Sequence, residues 1–352
     1  MAAELAVIER PGAALAFAFG CLAAALRQTM AFPRHSNRGT SVMHQGNNVL
    51  RHPRRLAALC AIGATGLGLA YMWAARAPSS YLAVNAAALA IGLLAAGVLT
   101  EAGRLWRAAP GAVGVALAGL ILLTSLFGVS ADGATRWISA GGILLQPALF
   151  VIPIVALGFA RLRDAISLFA ILIAALALAL QPDRAMAGAL AAGMAALALV
   201  RRDRVVLVAL GGALAAFTAT LARADASSVV PFVDQVFYSS FDAHPLAGFA
   251  VLAGAILMLV PAVAGYIYDS SHRAIYAVFG AVWLAVILAA ALGNYPTPLV
   301  GYSGSAILGY LISLMGLPPR PATRSIGQDG ATVRSESKDH QSFPRAVLPG
   351  VG

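Results

Sequence analysis

The sequence predicts an all-α integral membrane protein of about ten transmembrane helices. Three observations predict it. The chain is 60% hydrophobic and only 11% charged, far from the composition of a soluble domain. Apolar stretches of span length recur from Leu56 to Leu317, separated by short loops that hold nearly all the charges. The arginines concentrate in alternate loops, as they do when one side of a bilayer retains positive charge.

A span needs roughly 20 apolar residues. The segments that meet or approach that length are 56–75, 81–100, 110–129, 143–160, 165–181, 185–200, 205–222, 245–268, 274–293 and 302–317. Tilt or irregular ends accommodate the shorter ones. Residues 51–317 therefore read as one polytopic membrane domain. Ahead of it, 1–50 form an N-terminal leader whose apolar run, 13–26, is short for a span. It reads as a signal-like segment, a partial helix, or translated sequence upstream of a start at Met43. A basic patch and a first span follow Met43, which favours the last of these. Residues 318–352 are rich in Pro, Ser, Gly and charge, cannot bury a core, and read as a disordered cytoplasmic tail.

Arg51, Arg54, Arg55, Arg104, Arg107, Arg161, Arg163, Arg201, Arg202, Arg204, Arg273, Arg320 and Arg324 fall on one side of this topology. Only Arg76, Arg136, Arg184 and Arg223 fall on the other. Both termini are thus expected in the cytoplasm, in agreement with an even number of spans. The net charge of +10 is then mainly a topology signal, with anionic bilayer lipids as its partner. No basic helix stands outside the membrane, so nucleic acid is not an expected partner. Spans nearly free of ionisable residues, with no inverted repeat, argue against an ion-coupled transporter. Cys21 and Cys60 lie in apolar helical sequence and read as small core residues, not a disulfide framework.

The exterior face of this topology presents loops 76–80, 130–142, 182–184, 223–244 and 294–301. The second holds Asp132-Gly-Ala-Thr-Arg-Trp-Ile, followed by Gly142 and Gln146-Pro147. An Arg–Trp pair at a span boundary grips an anionic headgroup while the indole sits at the interface. Arg136, Trp137 and Gln146 are accordingly candidate binding residues, with a simple membrane anchor as the plainer alternative. In the third loop Pro182 ends a helix, and Asp183 is placed either to cap the next one or to shape a site. The fifth carries Asn294-Tyr-Pro-Thr-Pro-Leu-Val-Gly-Tyr-Ser-Gly-Ser305, whose prolines and glycines break the helix before the last span. Such backbone at membrane depth survives only when buried in protein or lining a cavity. Pro298, Tyr302, Ser303 and Gly304 are therefore read as a cavity wall. The glycines around Ser303 are misplaced for a G-x-S-x-G nucleophile elbow.

Taken in order, these segments resemble the SEDS family (shape, elongation, division and sporulation proteins), which includes FtsW, RodA and SpoVE. The family pattern NGA-R-RWI-x-x-G-x-x-x-QPSE is largely kept by residues 132–147. QPDLGTA is met by Gln181-Pro182-Asp183, and LPFISYGGSS resembles residues 297–305. The resemblance covers residues 50–317. It implies a protein of peptidoglycan assembly in cell division or cell-shape control. Such a protein acts on lipid II, the undecaprenyl-linked disaccharide-pentapeptide, at the outer face of the inner membrane, beside a class B penicillin-binding protein. Arg136 would suit the pyrophosphate. A divalent cation beside that group is a chemically reasonable cofactor. No metal-ligand set stands out in the sequence.

The chain departs from the family where chemistry is concentrated. The family's PE-x-HTDFIFA corresponds to Phe241-Asp-Ala-His-Pro-Leu-Ala-Gly-Phe-Ala250. His244, Phe249 and Ala250 match, Asp242 falls on the Glu, and the catalytic Asp position is Leu246. Leucine accepts no proton, and Ala148-Leu149 replaces the family's Ser-Glu. Two readings follow. Asp242 or Asp234, with His244, substitutes as general base for a peptidoglycan glycosyltransferase. Otherwise the chain is a catalytically inactive relative serving as scaffold, or a lipid-linked oligosaccharide flippase or ligase.

Overall fold

The computed structural model describes residues 52–102, 110–131, 134–140, 143–223 and 229–319. The leader with Cys21 and Met43, the tail beyond Pro319, and Asp132, Gly133 and Gly142 of the second loop lie outside the described residues. The fold is an all-α membrane bundle. Its helices are α1 (Pro53–Ala74), α2 (Ser79–Ala102), α3 (Pro110–Phe127), α4 (Ala148–Leu162), α5 (Ala165–Leu180), α6 (Arg184–Val200), α7 (Arg204–Leu221), α8 (Val236–Ala243), α9 (Pro245–Tyr268), α10 (Arg273–Leu292) and α11 (Gly304–Ser313). By length and composition, five helices of 18 to 24 residues qualify to cross a membrane. Five further apolar helices run 10 to 17 residues.

The burial pattern explains the layering. Helix α4 is apolar all round and buries Leu149, Val151, Ile152, Val155, Leu157 and Phe159, the signature of a helix enclosed by others. It packs against α3, α5, α6, α10 and α11. Helix α10 places Trp283, Tyr276 and Phe279 in the same core, where Trp283 and Phe279 meet Tyr310 of α11 edge-on. Helices α1 and α9 pack closely, because Gly63 and Gly254 leave room for the facing backbone and side chains. Helices α2 and α7 lie at the periphery, with apolar side chains such as Leu94 and Leu207 exposed as a bilayer requires.

Two expectations about loops are corrected. Residues 130–142 were expected as a loop, with the fourth span starting at 143. Instead β1 (Val129–Ala131), β2 (Ala134–Ala140) and β3 (Ile143–Leu145) form a three-stranded antiparallel ribbon in the order β1-β2-β3. Val129 pairs with Trp137, and Ile138 with Leu145. Thr, Trp and Ile suit an extended chain, and strand pairing satisfies backbone groups that leave the helix near a membrane. The fourth helix therefore starts only at Ala148. Residues 223–244, also expected as a loop, contain helix α8. Its Val236, Phe237 and Ser240 turn inward, a short amphipathic pattern too small to separate from its surroundings by periodicity.

The opposite end of the bundle is closed by arginines. Helix α11 finishes in a 3-10 turn, Leu314–Gly316, in which Leu317 N donates to Leu314 O at 3.0 Å and the carbonyls after it run out of helical donors. Arg54 donates to Leu317 O at 2.8 Å and to Met315 O at 3.0 Å, and Arg161 donates to Gly316 O at 2.7 Å. Cations at a helix C-terminus also answer its dipole. At the same end Asp164 caps α5, accepting from Ser167 N at 2.8 Å in a reciprocal capping box. The Ser167 hydroxyl and N–H hold the Asp164 carboxyl below its ordinary range. Its depressed folded-state pKa means the cap contributes above the ordinary carboxylate range and is lost as pH falls through the folded value. Asp164→Ala is expected to cost about 1 kcal/mol at neutral pH. Thermal melts at pH 7 and pH 3 check this, because the difference between wild type and variant should shrink at the lower pH.

Candidate functional site

At the ribbon end of the bundle, several sequence-singled residues meet around one turn. Residues 181–183 link α5 to α6, and Asp183 is fully buried there. One carboxylate oxygen caps α6 by accepting from Met186 N at 3.1 Å, and the other accepts from Gln146 Nε2 at 2.8 Å. Asp183 therefore both caps a helix and holds a site residue. Gln146 sits at the mouth of α4, and its backbone N–H donates to Ser305 Oγ at 3.1 Å. Gln181 is buried beside them and donates from Nε2 to Ile121 O at 2.9 Å.

Arg136 enters this group from β2. It is 7% exposed and donates from one terminal nitrogen to Pro182 O at 2.8 Å. Its Nε has no hydrogen-bond partner, and no carboxylate pairs with it among the described residues. The guanidinium carbon lies 5.9 Å from the Trp137 ring, which is half-buried. A buried cation with no counter-charge is costly. An anion that brought its own charge and acceptor oxygens would relieve that cost.

The wall segment before α11 is laced from two sides. Asn85, fully buried in α2, donates to Gly301 O at 2.8 Å and accepts from Ser303 N at 3.2 Å. From the other side, Thr297 N donates to Val233 O at 2.9 Å and Tyr302 N to Phe232 O at 2.7 Å. Pro298 is buried in this turn, and Gly304 opens α11. The hydroxyls of Ser303 and Thr297 are buried without partners among the described residues. Phe232, Gln235 and Leu299 hold left-handed backbone, which non-glycine residues adopt only where their surroundings over-determine it. Gly68 of α1 is needed under this turn: a Cβ there would stand 2.5 Å from the Val300 backbone.

The remaining sequence candidates belong to residues 234–246. Asp242 is exposed on α8, electrostatically close to Tyr71, whose hydroxyl meets the Ser239 side chain. His244 is exposed and caps α9, its Nδ1 accepting from Leu246 N at 3.1 Å. Among the described residues, no hydrogen bond ties Asp242 or His244 to Arg136, Gln146 or Asp183. Leu246 is 72% exposed. Asp234 is the better sheltered carboxylate of this segment, 6% exposed and accepting from Val230 N at 2.9 Å. Burial raises its pKa above the ordinary range, and the Val230 N–H offsets part of that rise. Among the described residues no three His, Cys, Asp or Glu side chains come together to hold a metal ion.

Asn85 escaped the sequence reading. Its signal was present, as a lone amide inside the apolar run Ala83–Ala90. Only the fold supplies the partners that give it a role.

No protein-family model matches the sequence, and no curated protein matches it. Solved structures do match in shape. The rod shape determining protein RodA of Thermus thermophilus superposes with a TM-score of 0.54 at 21% identity, over 74% of this chain and 93% of that one. A mutant of the same RodA gives 0.55 at 22%, over 74% and 94%. A peptidoglycan synthase complex, described for its structural coordination of polymerization and crosslinking, gives 0.54 at 24%, over 74% and 94%. The chain has the RodA fold.

Proposed function

We propose that the chain is a SEDS-type protein of peptidoglycan assembly that takes lipid II at the outer face of the inner membrane, beside a class B penicillin-binding protein. The observation that carries this reading is Arg136: a guanidinium 7% exposed, without a carboxylate partner among the described residues, bonded to Pro182 O beside the Gln146–Asp183 pair. A pyrophosphate supplies the missing charge and acceptors. The RodA fold and the likeness to a peptidoglycan synthase complex support the same reading. The arginine-rich end then faces the cytoplasm, and the ribbon end faces outward.

The role of each residue follows from its place. Arg136 binds the pyrophosphate, and Trp137 rests in the headgroup layer. Gln146 and Asp183 hold the 181–183 turn against α4, so that the Pro182 carbonyl orients the guanidinium. Asp242, exposed in the outer segment, is the candidate general base for a sugar hydroxyl, with His244 at the adjoining helix start. A second, non-catalytic reading draws on one observation: Leu246 stands where the family's Asp would be expected, and a leucine takes no proton.

Glycan-strand formation from purified lipid II, with the cognate transpeptidase, tests the function. Lipid II binding is the expected result. Polymer that vanishes in Asp242→Ala would make the chain a glycosyltransferase with a relocated base. Binding without polymer would make it a scaffold or lipid-handling relative. Absence of lipid II binding by folded protein would sink the proposal.

A further inference from the structure

Tyr81 stands at the start of α2 and Tyr302 at the end of the wall segment, far apart in sequence. Their rings lie parallel, with centroids 4.0 Å apart and planes 12° from coplanar. Aromatic side chains generally prefer offset or edge-on contact. Every other aromatic pair among the described residues is tilted or edge-to-face. The backbone sets this stack. Asn85, one helical turn after Tyr81, grips Gly301 and Ser303, the two neighbours of Tyr302. Phe232 supports the pair from below, edge-on to Tyr81 at 6.4 Å, and Tyr71 meets Phe232 at 6.2 Å.

The hydroxyls distinguish this pair from the four tyrosines whose hydroxyls are bonded inside the bundle. Those of Tyr71, Tyr238, Tyr276 and Tyr310 all have protein partners. Those of Tyr81 and Tyr302 have none among the described residues, and both side chains are half-exposed. A membrane anchor needs one ring at the interface. It does not need two rings pinned parallel with adjacent free hydroxyls.

We propose that Tyr81 and Tyr302 form a stacking platform for the pyranose rings of a saccharide, the sugar portion of the lipid-linked substrate. The proposal rests on the reading of the preceding subsection and adds a residue-level sugar site to it. The inner faces of the two rings cover each other, so the C–H face of a pyranose lies flat on an outer face of the stack, which is electron-rich. The two phenols can then exchange hydrogen bonds with hydroxyls at the sugar's edge. Asp242, near Tyr71, places a carboxylate on the same side of the bundle.

The test uses the full chain in nanodiscs and the soluble disaccharide GlcNAc–MurNAc, read by saturation-transfer NMR. Lipid II binding is measured in parallel. Wild type should transfer saturation to the ring C–H protons of one sugar face. Tyr81→Leu and Tyr302→Leu should weaken disaccharide binding about tenfold or more, and the Phe variants should stay within about threefold. Unchanged binding in folded Leu variants overturns the platform, as does wild type that binds lipid II without transfer to the sugar. Should the Leu variants not fold, the wild-type transfer pattern decides alone. Disaccharide binding that needs both tyrosines, in a protein that does not bind lipid II, would uphold the platform and overturn the lipid II reading. Loss of both in wild type overturns both.

Discussion

Arg136→Ala is expected to weaken lipid II binding by about 10- to 100-fold while leaving thermal stability within about 1 kcal/mol of wild type. The two effects separate because of how the guanidinium is housed. It is 7% exposed and among the described residues makes one hydrogen bond, to Pro182 O, with its Nε unmatched. Removing it forfeits that bond but also removes the cost of burying an uncompensated charge, so the folded state loses little. A bound pyrophosphate has no such compensation. Arg136→Lys keeps the charge and loses the planar fork, so its binding should fall between the two. Lipid II titration in nanodiscs, paired with thermal melts, checks both quantities. A stability loss of several kcal/mol with unchanged lipid II binding would make Arg136 a structural strut of the ribbon.

Asn85→Leu should produce the opposite signature. Its amide satisfies the Gly301 carbonyl and the Ser303 N–H, both buried, and leucine satisfies neither. Each orphaned backbone group costs about 1–3 kcal/mol. The variant should therefore lose about 3 kcal/mol, read as a lower melting temperature in detergent. Because Gly301 and Ser303 flank Tyr302, the Tyr81–Tyr302 stack should also lose its register. A loss below about 0.5 kcal/mol would mean that the bonds from Thr297 and Tyr302 to the 232–233 backbone hold the wall segment by themselves.

The site was legible in uneven measure. Arg136, Gln146 and Asp183 stood out because polar groups between apolar runs need a reason to be there. The structure gives them one turn to share. Asp242 and His244 stood out as the titratable pair before Pro245. They sit exposed, and the His244 side chain caps the start of α9. Asp234 drew less attention in the sequence, since nothing local distinguishes a carboxylate that folding will bury from one it will not. The ribbon was missed because alternation over so few residues competes with the apolar run that follows it.

What the sequence determined by itself is the all-α membrane bundle and its polar punctuation. Hydropathy and arginine alternation act locally and depend on no distant partner. Only the tertiary structure decided that Asn85 latches the wall segment, that Tyr81 stacks on Tyr302 across most of the chain's length, and that Arg136 is buried with its Nε unbonded and no carboxylate paired to it among the described residues. The physical reason is common to all three. A buried polar group or an aromatic face takes its meaning from what stands opposite it, and in a helical bundle that neighbour comes from another helix.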